Sequence, residues 1–293
     1  MQRAVEIIRR RVKLPFDEER AKKWTALPRP AEDGLNAISF LFPLGEAFFC
    51  RSVAYYMDRI TDPVLKQQAA LFIHQEAMHS KEHARSNEVL KKANAFGGEM
   101  ERFAKVSLFL ARTLLTRPSQ LAWTCAMEHV TSLLAATLLR RSWMRKEGTD
   151  PAFAALWEWH GAEEIEHKAV CFDVYQHLFG KGLIAWLRRL YVFSIITIGG
   201  GLFLALVFAG IRAKLAFRRL RAAVGGGASG STSQASVARG PSFRVIFGVL
   251  PLREYFAFAH WNFHPWQQDD RPLLEAWKRA NPGFGQPPSA QTP

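Results

Sequence analysis

Two stretches of the chain, Glu76-Ala77-Met78-His79 and Glu164-Ile165-Glu166-His167, share the pattern Glu-x-x-His. Each follows a lone glutamate in an apolar stretch. Glu46 stands 30 residues before Glu76, and Glu128 stands 36 residues before Glu164, about one helix plus a turn. On an α-helix, residues three apart share a face, with Cβ atoms roughly 5–6 Å apart. A Glu and a His so placed can reach one metal ion, or the Glu can bridge two while the His caps one. Four carboxylates and two imidazoles in this order form the ligand set of a dinuclear site between four helices. Oxygen-rich ligation with an imidazole on each metal suits two irons, with manganese or zinc as alternatives. Without clustered thiolates, a structural zinc site is disfavoured.

Glu46 lies in FPLGEAFFCR, among Phe42, Leu44, Phe48 and Phe49. A carboxylate buried there must be protonated, paired or metal-bound; the plain alternative is an exposed residue or a salt bridge to Arg51. Glu128, in TCAMEHVTSLL, has His129 beside it as a further candidate. Around Glu76 the sequence FIHQEAMHSKEHARS holds His74, His79 and His83. His83, one turn beyond His79, can ligate or bond a bridging carboxylate. His74 falls about 140° round the helix and reads as structural or supporting. In WEWHGAEEIEHKAV, His160, Glu164 and His167 follow at i, i+4 and i+7, one continuous face. Glu163 and Glu166 fall off that face, as surface or supporting residues. Any one of these alone is unremarkable, but their order has few structural explanations. The expected metal ligands are Glu46, Glu76, His79, Glu128, His160, Glu164 and His167, with His83, His129 and Glu163 as additional or supporting candidates. Glu76 and Glu164 take the catalytic, bridging roles, and Glu46 and Glu128 are terminal carboxylates. His79 and His167 each cap a metal, and His160 differentiates one of them. Phe42, Phe48, Phe49 and Trp159 are expected to exclude water and shape a pocket.

These residues need helices to carry them, and the punctuation supplies those helices. Residues 35–57 carry Glu46, and Thr61-Asp62-Pro63 starts a helix bearing Glu76 and His79. Helices follow over about 100–116, 119–146 (with Glu128) and 151–179 (with Glu164 and His167), separated by Arg117-Pro118-Ser119 and Gly148-Thr149-Asp150-Pro151. No strand pattern stands out in 35–180. The fold expected is all-α: a four-helix bundle with a dinuclear site in its core, an apolar membrane-type helix and a helical C-terminal extension. The division is 1–34 as an N-terminal arm, 35–182 as the dimetal bundle, and 183–222 as an apolar segment with basic flanks. A Gly/Ser linker over 223–242 leads to a C-terminal extension over 243–293 that holds an amphipathic helix near 243–259 and a disordered end.

Formal net charge is +13 over 293 residues. The cations gather at Arg9, Arg10, Arg11 and Lys13 and on both sides of Leu190–Ile211, a 22-residue stretch without a charge. That placement favours a membrane surface over nucleic acid. The stretch is long enough to cross a bilayer, though Gly199-Gly200-Gly201 weakens its middle; a long buried helix is the alternative. The protein is therefore placed at the cytoplasmic face of the inner membrane or as a single-pass protein, and in the cytoplasm if Leu190–Ile211 is buried. Cys50, Cys125 and Cys171 stand singly and read as reduced.

The ligand order resembles the ferritin-like di-iron carboxylate superfamily, and His160 ahead of Glu164-x-x-His167 is similar to the three-histidine site of arylamine N-oxygenases. The segments FPLGEAFF, FIHQEAMHSKEH, EHVTSLL, WHGAEEIEHKAVCFDVY and FHPW more closely resemble the bacterial family of predicted metal-dependent hydrolases, over about 30–275. Carboxylate-rich ligation on helices leads us to expect a di-iron, O2-activating oxidoreductase or oxygenase. Its partners would be O2 and a small hydrophobic or lipid-like substrate, without nucleic acid, and a homodimer is allowed. The alternatives are a hydrolase using a dimetal-activated hydroxide, or a non-catalytic, membrane-attached iron-binding bundle.

Overall fold

The computed structural model describes residues 5–93, 96–224 and 250–285. The described residues form helices and no strand. After an extended arm and a short turn, α1 (Glu18–Ala21), come α2 (Arg29–Ser39), α3 (Phe42–Ala54), α4 (Pro63–Ala93) and α5 (Gly97–Leu114). Next are α6 (Arg117–Arg140), α7 (Pro151–His167), α8 (Val170–Phe179), α9 (Leu183–Ser194) and α10 (Gly201–Val224). Two short C-terminal helices follow, α11 (Leu252–Ala257) and α12 (Arg271–Ala280).

The helices that carry the motif residues begin where the sequence places caps. Asp62 accepts from the backbone N–H groups of Val64 and Leu65 at 2.8 and 3.0 Å, with Pro63 opening α4. Thr116 caps α6, and Asp150 caps α7 by accepting from Ala152 and Phe153 at 2.9 and 3.2 Å. Each cap satisfies backbone donors that a helix start leaves unpaired, and Pro at the first turn loses nothing because its N–H would be free. The expected single helix over 151–179 is two, broken after His167 at Lys168-Ala169.

Four of these helices close into a ring of neighbours: α3 packs on α4 and α6, and α7 packs on α6 and α4. One apolar cluster, around Phe48, Phe72, Leu121 and Phe172, fills one end of the ring. A second, around Trp24, Phe40, Leu138 and Phe153, fills another part and takes in Phe208 and Ile211 of α10. The division at residue 34 falls inside α2, which runs on to Ser39. Of the expected linker and C-terminal helix, residues 225–249 lie outside the described residues, as does the chain after residue 285.

Helix α9, a π-helical stretch over Ile195–Gly200 and the first part of α10 form one apolar helix over Leu183–Phe217. It is long and apolar enough to cross a membrane, and only 22% of its most apolar window is buried. The π-helical register coincides with Gly199-Gly200, where the expected weak point lies. All three cysteines are free.

Candidate metal centre

The ring of helices turns seven polar side chains into its apolar interior. Glu46 comes from α3, Glu76 and His79 from α4, Glu128 from α6, and His160, Glu164 and His167 from α7. All seven are buried. They form two groups, Glu46 with His79 and His160, and Glu76 with Glu128, Glu164 and His167; within each, one ligand atom per residue lies within 4.8 Å of the others. Two carboxylates join the groups. Glu76 Oε1 lies 3.3 Å from His79 Nδ1 and 3.2 Å from His167 Nε2. Glu164 Oε1 lies 3.0 Å from His160 Nε2 and 3.8 Å from His167 Nε2.

The three imidazoles are oriented alike, each donating its outer N–H to a fixed acceptor. His79 Nε2 donates to Glu163 Oε2 at 3.0 Å. His167 Nδ1 donates to Gln75 Oε1 at 2.9 Å, while the Gln75 amide donates to Glu166 and the Ile8 carbonyl. His160 Nδ1 donates to His83 Nε2 at 2.7 Å. The direction of this last bond follows from the chain behind it. Asn87 donates to the Ser39 carbonyl, so its oxygen accepts from the Ser39 hydroxyl at 2.7 Å. Ser39 Oγ must then accept from His83 Nδ1 at 2.8 Å, which leaves His83 Nε2 as an acceptor. Each ring thus turns its inner nitrogen towards the carboxylates. On His167, although burial opposes it, Glu128, Glu164 and Glu76 keep a proton on that nitrogen in the metal-free protein. Outer partners of this kind fix ring orientation and tautomer at metal sites.

These side chains fit a pair of cations and little else. Both oxygens of Glu46, Glu76 and Glu128, with His79 Nδ1 and His167 Nε2, are buried without a hydrogen-bond partner. Unpaired buried carboxylates are costly, and metal coordination is one of the few ways to satisfy them. In the metal-free protein, burial and then mutual repulsion raise Glu46 and Glu128 well above the usual carboxylate range. Burial, then Glu164 and Glu163 against a partial offset by His167, pushes Glu76 up to about 8. Such groups hold protons that a cation must displace. Burial, then the neighbouring imidazoles, lowers His83 and His160 and keeps both rings neutral.

The supporting candidates separate. His83 belongs to neither ligand group and acts as the acceptor behind His160. His129 faces away from the centre, donating Nε2–H to the carbonyls of Glu254 and Tyr255 at 3.0 and 3.1 Å, so its place as an additional ligand is corrected. Its position follows from the helix: the residue after Glu128 is turned about 100° and meets the C-terminal segment. Glu163 and Glu166 are not surface residues, because α7 is buried on nearly every side from Trp159 to His167. Of the expected pocket aromatics, Phe48, Phe49 and Trp159 are buried, and Trp159 packs edge-on against His79 with ring centroids 4.9 Å apart.

Arg10, in the N-terminal arm, is a residue sequence reasoning missed. Its guanidinium, 2% exposed, pairs with Glu163 at 2.7 Å and with Glu166 at 2.8 Å. Although burial opposes it, hydrogen bonds from His79 and Arg10 hold Glu163 below the usual range, as an acceptor for His79. The arm is held in turn by His74, which bonds the Arg10 carbonyl, and by Glu82, which accepts from Leu14 N–H. The one signal available was the crowding of cations at residues 9–13, which reads equally well as a solvated or lipid-facing run.

Residues 8–269 match the family described as "Predicted metal-dependent hydrolase". The chain belongs to that family. Neither the curated proteins nor the solved structures contain a match to it. This membership of the predicted metal-dependent hydrolases overturns the expected oxygen-activating oxidoreductase and agrees with the hydrolytic alternative. The oxygenase expectation arose because helix-borne carboxylates also serve oxygen chemistry, and a ligand set alone does not separate the two. In this predicted metal-dependent hydrolase, the matched span includes every one of the seven ligand candidates and Arg10.

Proposed function

We propose that the protein hydrolyses a small, largely apolar substrate at a dinuclear metal centre in the ring formed by α3, α4, α6 and α7. In this reading Glu46, His79 and His160 hold one ion, and Glu128 and His167 hold the other. Glu76 and Glu164, whose oxygens lie near histidines of both groups, would be available to either ion. The observation that carries the reading is the set of unpartnered carboxylate oxygens and imidazole nitrogens converging inside a dry interior. The oxygen-rich donors suit manganese, iron(II) or zinc over soft-ligand metals. Such a pair supplies Lewis acidity that polarises a carbonyl or phosphoryl group and activates water.

The protein's own side chains contribute orientation and dryness. Glu163, Gln75 and His83 fix three imidazoles so that the rings need no reorientation on loading. Thr131 donates to Glu164 Oε2 at 2.5 Å and restrains that carboxylate. Buried Phe48, Phe72 and Trp159 exclude bulk water, which strengthens every electrostatic interaction inside. The arrangement corresponds to the dinuclear four-helix plan in which Glu-x-x-His pairs project inward. The long apolar helix Leu183–Phe217, with Ile198, Leu202 and Leu206 exposed and basic residues near both ends, supports a second element of the proposal, contact with a membrane surface.

The test is metal analysis followed by turnover. Protein loaded without oxygen should hold two ions per chain and hydrolyse members of an ester and amide panel, stimulated by Mn(II) or Zn(II). Glu76→Ala and His167→Ala should abolish both loading and hydrolysis. Unchanged metal content in these variants, or no hydrolysis by a fully loaded protein, would overturn the reading.

A further inference from the structure

A recess enters the protein between α2, α6 and α7 and ends on His160 and Glu164. Its walls are apolar: Leu35 and Ile38 from α2, Leu134 and Leu138 from α6, and Trp157 from α7. Its polar lining residues are Thr131, Thr137, His160 and Glu164, with Thr131 bonded to Glu164. No lysine or arginine lines it. Such a shape does not suit a phosphate or carboxylate tail, whose charge would lose its hydration without a partner. It suits a neutral molecule with a reactive polar head and a slender apolar chain.

Two further observations fix the chain's character. Along α7 the lining runs from Glu164 back to Trp157, seven residues, or about 10 Å of helical rise, the length of an extended chain of about eight carbons; the recess encloses about 70 Å³, so such a chain would lie along it with part of its length at the open mouth. Leu35, Leu138 and Trp157 also pack in one cluster with Phe208 and Ile211 of α10. The recess wall therefore shares one buried apolar cluster with the long apolar helix.

Resting on the hydrolytic reading above, we propose that this recess binds the unbranched, medium-length chain of a neutral carboxylic ester. The ester group then lies at His160 and Glu164. Hydrolysis there adds the oxygen of water to the acyl carbon, breaks the acyl–oxygen bond and passes a proton to the departing alkoxide. One acid and one alcohol result, with no change of oxidation state.

The experiment uses full-length, Mn(II)-loaded protein and p-nitrophenyl esters from acetate to decanoate, with 1-octanol binding followed by calorimetry. Specificity, kcat/KM, should rise up to about 4-fold per added methylene and level off near eight carbons. Leu138→Trp and, independently, Leu134→Trp should lower the octanoate-to-acetate ratio and weaken octanol binding at least tenfold, with metal content and helicity retained. A flat chain-length profile that neither variant alters would overturn the recess while leaving hydrolysis standing. Octanol binding weakened by both variants, in a loaded protein that cleaves no ester, would support the recess and overturn the hydrolytic reading. Absence of octanol binding to the loaded wild type would overturn the recess outright.

Discussion

At His83 a single hydrogen bond separates a ligand from a supporting residue. Ser39 and Asn87 fix its proton on Nδ1, so Nε2 accepts from His160 and is not free for a metal. His83→Phe should therefore leave His160 without its acceptor and lower affinity for one of the two ions by about 10–100-fold. His83→Gln, whose amide oxygen can accept the same proton, should recover part of it. A two-step metal titration reads this directly, and equal weakening of both steps would contradict the assignment. Glu46 offers a second measurement. Burial and its neighbours already hold its proton in the metal-free protein, so Glu46→Gln should leave the metal-free Tm unchanged within a few degrees. The rise in Tm on adding metal should shrink, since each hundredfold loss of affinity removes about 2.7 kcal/mol of linked stability at saturating metal. Differential scanning calorimetry with and without chelator distinguishes this from general destabilisation, which would lower both values.

Helix periodicity made the seven ligand candidates legible, because a three- or four-residue interval confines side chains to one face. The same reasoning leaves Glu163, one position before Glu164, open between a surface and a supporting place. Periodicity tells which residues share a face, but not whether the opposite face is covered, and α7 is covered by the N-terminal arm and α12 as well as its ring neighbours. The arm itself left no signature. Arg10 meets Glu163 across 153 positions of sequence, and an extended segment has no period that could announce the contact. The starts of α4 and α7 were readable from Asp62-Pro63 and Asp150-Pro151, since caps are local chemistry, whereas Thr116, expected at the end of the preceding helix, caps α6. The break after His167 was not, for Lys168-Ala169 carries neither Gly nor Pro. The arm's hidden role is testable. Arg10→Met strands two buried carboxylates and should cost about 3–5 kcal/mol of unfolding free energy. Adding Glu166→Gln to Arg10→Met should recover part of that loss, and denaturant melts of the four proteins give the coupling. Additive losses would show that Arg10 acts by packing against Trp277, whose ring it overlies at 5.4 Å, and not through charge.

At the scale of the molecule, a dry polar centre coexists with an unusually apolar exterior. Ile198, Leu202 and Leu206 are 71%, 62% and 62% exposed on the long helix, and Phe109 and Leu114 of the adjoining α5 are 66% and 73% exposed. Single exposed apolar residues are ordinary, whereas several on neighbouring helices are what the proposed membrane contact would use. In that contact the net charge of +13 would add an attraction to anionic headgroups. The two contributions respond differently to salt. Electrostatic attraction is screened, with a Debye length of about 3 Å at 1 M, while apolar insertion is not. If the proposed membrane contact holds, wild-type protein should float with phosphatidylglycerol-containing vesicles at low salt and stay bound at 1 M. Leu202→Glu/Leu206→Glu should bind at low salt through its cations but be released at 1 M, because each glutamate would have to enter the apolar layer charged or protonated. Complete release of the wild type by salt would reduce the contact to surface charge.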